Sequence, residues 1–201
     1  MARLFSGVFH PLFMVTYGIG LSLLGTYLGM YPLHLKILLL VSAFICTAFI
    51  PALCIALLMR IGIVSETSIL DRKERHLPYL FSIVSVVGYS YFLYRLSMPF
   101  WISSIIALGV GVTLTICSLV NIFWKISIHA AGVGGLLGGV MAVSSIQRTN
   151  PYFLFMLILF FAGCTISARL FLKKHTPAQV YAGFSLGFIC LFVATYWSFI
   201  P

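Results

Sequence analysis

The chain is laid out as apolar runs of helix-spanning length placed end to end, and few folds accept that pattern. A hydrocarbon bilayer core is about 30 Å thick, and an α-helix crosses it in about 20 residues. Backbone N–H and C=O groups meet no water there, so each run must satisfy its own hydrogen bonds as a helix. Such runs lie near Phe9–Tyr31, Leu35–Val64, Leu77–Tyr94, Phe100–Phe123, Ile128–Ile146, Pro151–Leu172 and Gln179–Ile200. The connectors are too short to fold separately. The expectation is therefore an all-α fold: one integral membrane domain over residues 1–201, a polytopic transmembrane helix bundle of about seven spans. A six-span version requires one run to lie along the membrane or re-enter it. Pro51, midway along the second run, predicts a kink. The segment Met1–His10 leads into a run too long for the core of a cleavable leader.

Only 7% of the residues are charged, against about a quarter in a soluble domain, and they are clustered. All three acids (Glu66, Asp71 and Glu74) sit in the connector Ser65–His76, which also holds Arg72, Lys73 and Arg75. A second polar island, WKISIHAAG, begins at Trp124, and a third, SARLFLKKHTPAQVYAG, begins at Ser167. Two runs separate the first island from the second, and two more separate the second from the third. Even numbers of crossings return the chain to one face, so the three islands are expected together at one end of the bundle.

That face would carry Arg3, Arg60, Arg72, Lys73, Arg75, Lys125, Arg169, Lys173 and Lys174, and the opposite face only Lys36, Arg95 and Arg148. Excess Lys and Arg marks the cytoplasmic side, which points to a plasma or inner membrane with the island face cytoplasmic. Arginine presents a planar fork of donors that suits phosphate oxygens, and histidine serves as nucleophile, acid or base near neutral pH. Snorkelling of basic side chains towards headgroups is the alternative reading, and it is preferred for Lys73, Lys125, Lys173 and Lys174 taken singly.

The five cysteines all fall inside apolar runs, are odd in number and form no CxxC pair. They read as core packing, not as a disulfide framework or a zinc site. Small residues four apart, Ala131/Gly135 and Gly135/Gly139, read as a helix-packing stripe, as do Gly25 and Gly29. His10 and His34 read as interfacial residues, and Tyr91, Tyr94, Phe100, Trp101 and Trp197 as an interfacial belt.

Arg169, five residues and then His175, in a run leading through Pro177 into a glycine-containing helix, resembles the third motif of the type 2 phosphatidic acid phosphatase (PAP2) superfamily. Ser127-Ile128-His129 resembles its second motif, serine-glycine-histidine, and Asp71–Pro78 stands in the place of the first. The resemblance covers residues 65–201 and leaves residues 1–64, two spans, outside it. It departs from the family at Ala168, where a serine is usual, at Ile128, where a glycine is usual, and at Gln179, where an aspartate is usual. The first motif lacks the usual lysine-to-arginine spacing, and two spans stand between the first and second motifs.

The resemblance implies a PAP2-like core and a metal-free phosphatase without a cofactor. His175 would be the nucleophile and His129 the acid and base. Arg169, Arg75, Arg72 and Ser127 would bind phosphate. Gln179, or else Asp71 or Glu74 reaching across, would orient His175; local pairing of those acids with Arg72 or Arg75 is preferred. The implied partner is a phosphorylated membrane lipid, phosphatidate-like or an isoprenoid diphosphate, and not a nucleic acid; an oligomer is left open. A catalytically lapsed relative that binds lipid phosphate or serves as an assembly partner is the alternative. A transporter is disfavoured because no acid lies within any run.

Overall fold

The computed structural model describes residues 6–62 and 76–199, and these form helices and turns with no strand among them. Seven helices follow one another: α1 Pro11–Gly25, α2 Leu33–Arg60, α3 His76–Arg95, α4 Phe100–Phe123, α5 Ile128–Gln147, α6 Tyr152–Phe171 and α7 Pro177–Ser198. Helices α2 to α7 are long and apolar enough to cross a membrane. The chain is an all-α polytopic bundle. Its outer surface is crowded with large apolar side chains, Phe123, Phe153 and Phe171 being at least 80% exposed. Water disfavours so much exposed hydrocarbon, whereas a bilayer accepts it.

The first run is the short one. Its three residues of 3-10 helix and twelve of α-helix rise about 24 Å, less than a bilayer core of about 30 Å. It still runs from one end of the bundle to the other. At its start the His10 ring lies 5.0 Å from that of His129. Beyond its end, in the 3-10 turn Tyr27–Met30, the Tyr27 hydroxyl accepts a hydrogen bond from Trp101 Nε1 at 2.7 Å. That contact, with stacking on Phe199 at 4.8 Å, buries Trp101 instead of leaving it in an interfacial belt. Phe100, Tyr91, Tyr94 and Trp197 are exposed.

Pro51 does not break α2. The five residues Ile45–Phe49 widen into a π-helical turn just before it, which accommodates the missing N–H and the proline ring. A second π-helical turn, Ile105–Gly111, carries α4 past α7, where a Cβ on Gly109 would meet the Leu191 side chain at 2.6 Å.

The bundle is organised around α5 and α7, which share its most extensive contact. Gly134 and Gly138 of α5 lie on the backbone of Phe184 and Phe188, and Gly183 and Gly187 of α7 lie on the backbone of Ser127 and Ala131. A Cβ at any of the four would overlap a backbone carbonyl. Small residues at this spacing let helix backbones approach within lipid. Of the residues the sequence paired, Ala131 lends its backbone to Gly187, and Gly135 faces Leu191 and Gly187 of α7. A Cβ on Gly139 would have only Thr195 Oγ1, also of α7, nearby, at 3.8 Å, and Gly134 and Gly138 add a second, tighter row.

Gly187→Ala should therefore cost at least about 2 kcal/mol by forcing the two backbones apart. Gly163, with nothing near its absent Cβ, should tolerate alanine with no loss or a gain of up to about 1 kcal/mol. Unfolding of the detergent-solubilised variants checks both.

Candidate functional site

The start of α5 is fixed by Ser127. This residue is fully buried; its hydroxyl accepts from Ala130 N–H at 3.5 Å, and its own N–H donates to the Gln179 carbonyl at 3.2 Å. The first bond caps α5. The second ties that cap to the first turn of α7. His129, in the first turn of α5, is buried, and its Nδ1 has no hydrogen-bond partner among the described residues.

The spacing of Arg169 and His175 has a structural cause. Helix α6 ends in a Schellman turn: Lys174 N–H donates to the Arg169 carbonyl at 3.2 Å, and Lys173 N–H to that of Leu170 at 2.9 Å. Such a turn needs one left-handed residue, and Lys173 supplies it at φ 51°. The chain thereby reverses within a few residues of Arg169. His175 is left buried at the same end of the bundle.

Thr176 then caps α7 with a reciprocal capping box: its hydroxyl accepts from Gln179 N–H at 3.4 Å, and Gln179 Oε1 accepts from Thr176 N–H at 3.2 Å. A backbone N–H can only donate, so the glutamine atom facing it is the oxygen. The same Oε1 lies 3.2 Å from His175 Nδ1. Nδ1 must therefore carry the proton, and the neutral ring presents Nε2 as its basic nitrogen. Gln179 stands where a carboxylate would fix the same tautomer, but it supplies no negative charge.

The N-terminal segment completes the cluster. Arg169 Nη1 donates to the Ser6 hydroxyl at 3.0 Å. His10 caps the 3-10 turn that opens α1 by accepting from Leu12 N–H at its Nδ1, at 3.4 Å. Its imidazole stands edge-on to that of His129, with the ring planes at 83°. Burial, and secondarily the Arg169 cation, push His10 from 6.5 down to about 4. Arg169, His10 and His175 all bear electrostatically on His129. The positively polarised N-termini of α5 and α7 point into the same region, which favours an anion there.

The structure thus brings together Arg169, His129, His175, Gln179 and Ser127 of the residues singled out in the sequence. Arg72, Arg75, Asp71 and Glu74 lie outside the described residues. Among the described residues no group of three His, Cys, Asp or Glu side chains is arranged to hold a metal ion. His10, expected as an interfacial residue, sits in the cluster instead. Nothing local in the sequence announced it, because its neighbour His129 is more than a hundred residues away. The capping box was legible as Thr176-x-x-Gln179. The chain matches no family model, no curated protein and no solved structure.

His10 makes stability depend on pH. Its folded value lies below its ordinary one, so it contributes stability above pH 6.5 that is lost as pH falls towards about 4. His10→Asn keeps a capping acceptor and removes the titration. The drop in unfolding midpoint between pH 7 and pH 5 should shrink in this variant relative to the parent protein.

Proposed function

We propose that the protein is a membrane-embedded lipid phosphate phosphatase, a divergent relative of the PAP2 superfamily, acting through a phosphohistidine intermediate. The observation that carries this reading is the convergence of Arg169, His129 and His175 at one end of the bundle, with Gln179 Oε1 at His175 Nδ1. Phosphoryl transfer asks little of a protein beyond positioning and neutralisation of spreading charge. A half-buried guanidinium flanked by two helix N-termini is suited to that neutralisation.

In this mechanism Arg169 holds phosphate oxygens and His175 Nε2 attacks phosphorus. The P–N bond forms as the P–O bond to the leaving group breaks, the lipid alcohol for a monophosphate or the lipid monophosphate for a diphosphate, and His129 gives its proton to the departing oxygen. Water then attacks the phosphohistidine while His129 takes its proton. The P–N bond breaks, and inorganic phosphate leaves. The His129 ring is held by a hydrogen bond to the Ser6 backbone, and its buried Nδ1, without a partner among the described residues, is consistent with a proton carrier. Arg72 and Arg75 are proposed to bind the remaining oxygens. The excess of Lys and Arg on this face favours a cytoplasmic site.

Gln179 fixes the tautomer of His175 but cannot offset the charge on a phosphorylated imidazole. In serine proteases, replacing the equivalent aspartate by its amide costs about 10⁴ in rate. Turnover is accordingly expected to be slow. Gln179→Glu keeps the side-chain length, and with it both hydrogen bonds, while adding the missing charge. It should raise phosphate release from phosphatidate or an isoprenoid diphosphate by at least about tenfold, a barrier change of about 1.4 kcal/mol. His175→Ala and His129→Ala should each abolish it. Release that survives His175→Ala would remove the proposed nucleophile. A parent protein that binds lipid phosphate without ever releasing phosphate would favour the lapsed relative.

A further inference from the structure

A narrow apolar cavity of about 220 Å³ runs along α1, between that helix, α4 and α5. At one end it is lined by Pro11, Met14, Ile128 and Ala131, which flank His10 and His129 in the chain. At the other end it reaches Thr26, Trp101, Ser144 and Gln147. Between these ends the walls are almost wholly hydrocarbon, from residues such as Ile19, Ile106, Val110 and Val140. Gly18, Gly132 and Gly139 also line it and leave it unfilled. The slot therefore begins at the chain neighbours of His10 and His129 and ends, about 24 Å away along α1, at a ring of hydroxyl and amide groups.

A slot with apolar walls that opens next to the segments carrying His10 and His129, on which the Arg169 charge acts, matches a molecule with the complementary distribution: an anionic head and a hydrocarbon chain. Chain burial is favourable at about 0.8 kcal/mol per methylene, and water in such a slot would find few hydrogen-bond partners. We propose that this cavity holds the hydrocarbon chain of the lipid phosphate whose headgroup lies among His129, His175 and Arg169. The placing of the headgroup rests on the phosphatase reading. The slot itself depends on α1, which lies outside the stretch resembling the PAP2 superfamily, so chain selection belongs to the N-terminal helix. The polar ring at Thr26 and Gln147 sets the length: affinity should rise as the chain lengthens until it spans α1, and then level off.

The test is photolabelling of the full chain in phosphatidylcholine vesicles. The probe is a long-chain alkyl phosphate bearing a diazirine at the chain end, compared with the alcohol of the same chain. The phosphate probe should label the far part of the slot, at Trp101, Ile102 or Val143, at least about tenfold more than the alcohol, equivalent to about 1.4 kcal/mol. A Cβ on Gly18 would meet only Leu136 Cδ1, at 4.0 Å, and one on Gly25 would meet nothing. Gly18→Leu should therefore fill the slot without disturbing the bundle and remove the labelling. Gly25→Phe, at the far end, should remove it for long probes and spare short ones.

Labelling confined to outward residues such as Phe153 and Phe160, or equal labelling by the alcohol, would overturn the proposal. Photolabelling needs no turnover and can be repeated in His175→Ala. A labelled slot in a protein that never releases phosphate supports the chain site while contradicting the phosphatase. Phosphate release from a protein whose slot stays unlabelled does the reverse.

Discussion

Two helices of this bundle touch backbone to backbone, and the placing of His129 relative to Gln179, which holds His175, follows from that contact. Glycine at 134, 138, 183 and 187 removes the side chains that would hold α5 and α7 apart. At the end of the contact the Ser127 N–H reaches the Gln179 carbonyl. One hydrogen bond thus locks the first turn of α5, which carries His129, against the first turn of α7, which follows His175. Lipid supplies no hydrophobic force to press the helices together, so close packing and this terminal bond must do so. Widening the contact by one methyl group would move the two histidines relative to each other.

Charge at this end is arranged on that frame. The reversal after α6 brings Arg169 and His175 to one end of the bundle at the expense of a left-handed lysine. The short α1 brings His10 and Ser6 to the same place. Arg169 and two helix N-termini give the region a positive character, and the histidines beside it are the groups on which the proposed anion site and proton chemistry rest. Burial keeps His10 neutral down to about pH 4, so near neutral pH it adds no second positive charge beside His129.

Much of this was legible in the sequence. The apolar runs located α2 to α7 to within a few residues, because helix length in a bilayer is set by its thickness. The first run, read through to Tyr31, instead ends as α1 at Gly25 and continues in a 3-10 turn. Counting crossings put His129, Arg169 and His175 at one end, since parity depends only on the number of spans between them. What escaped was long-range or compensatory. His10 lies at an interface by hydropathy, and only the packing of α1 on α5 turns it towards His129. The Ala131/Gly135 stripe does face α7, but the closest backbone contacts belong to the neighbouring pair Gly134 and Gly138. Two overlapping sets of small residues have nearly the same spacing, and the sequence does not say which approaches more closely. Pro51 marked an irregularity in the second run, and its form, a π-helical turn at Ile45–Phe49 that accommodates the missing donor, was not legible from the proline alone. Gln179 reads from the sequence as an orienter of His175 that lacks the carboxylate charge, and the structure adds that the same oxygen closes the capping box of α7.

The central claim is that His175, held by Gln179 and facing Arg169 and His129, becomes covalently phosphorylated. It is tested most directly by mixing the protein with radiolabelled phosphatidate or an isoprenoid diphosphate, quenching in alkali, and mapping the retained label by peptide mass spectrometry. The account predicts an acid-labile, alkali-stable phosphate on His175. That label should be absent in His175→Ala and should accumulate in His129→Ala if any first-step turnover remains. Phosphate release without a label on His175, or a label on another residue, would contradict it.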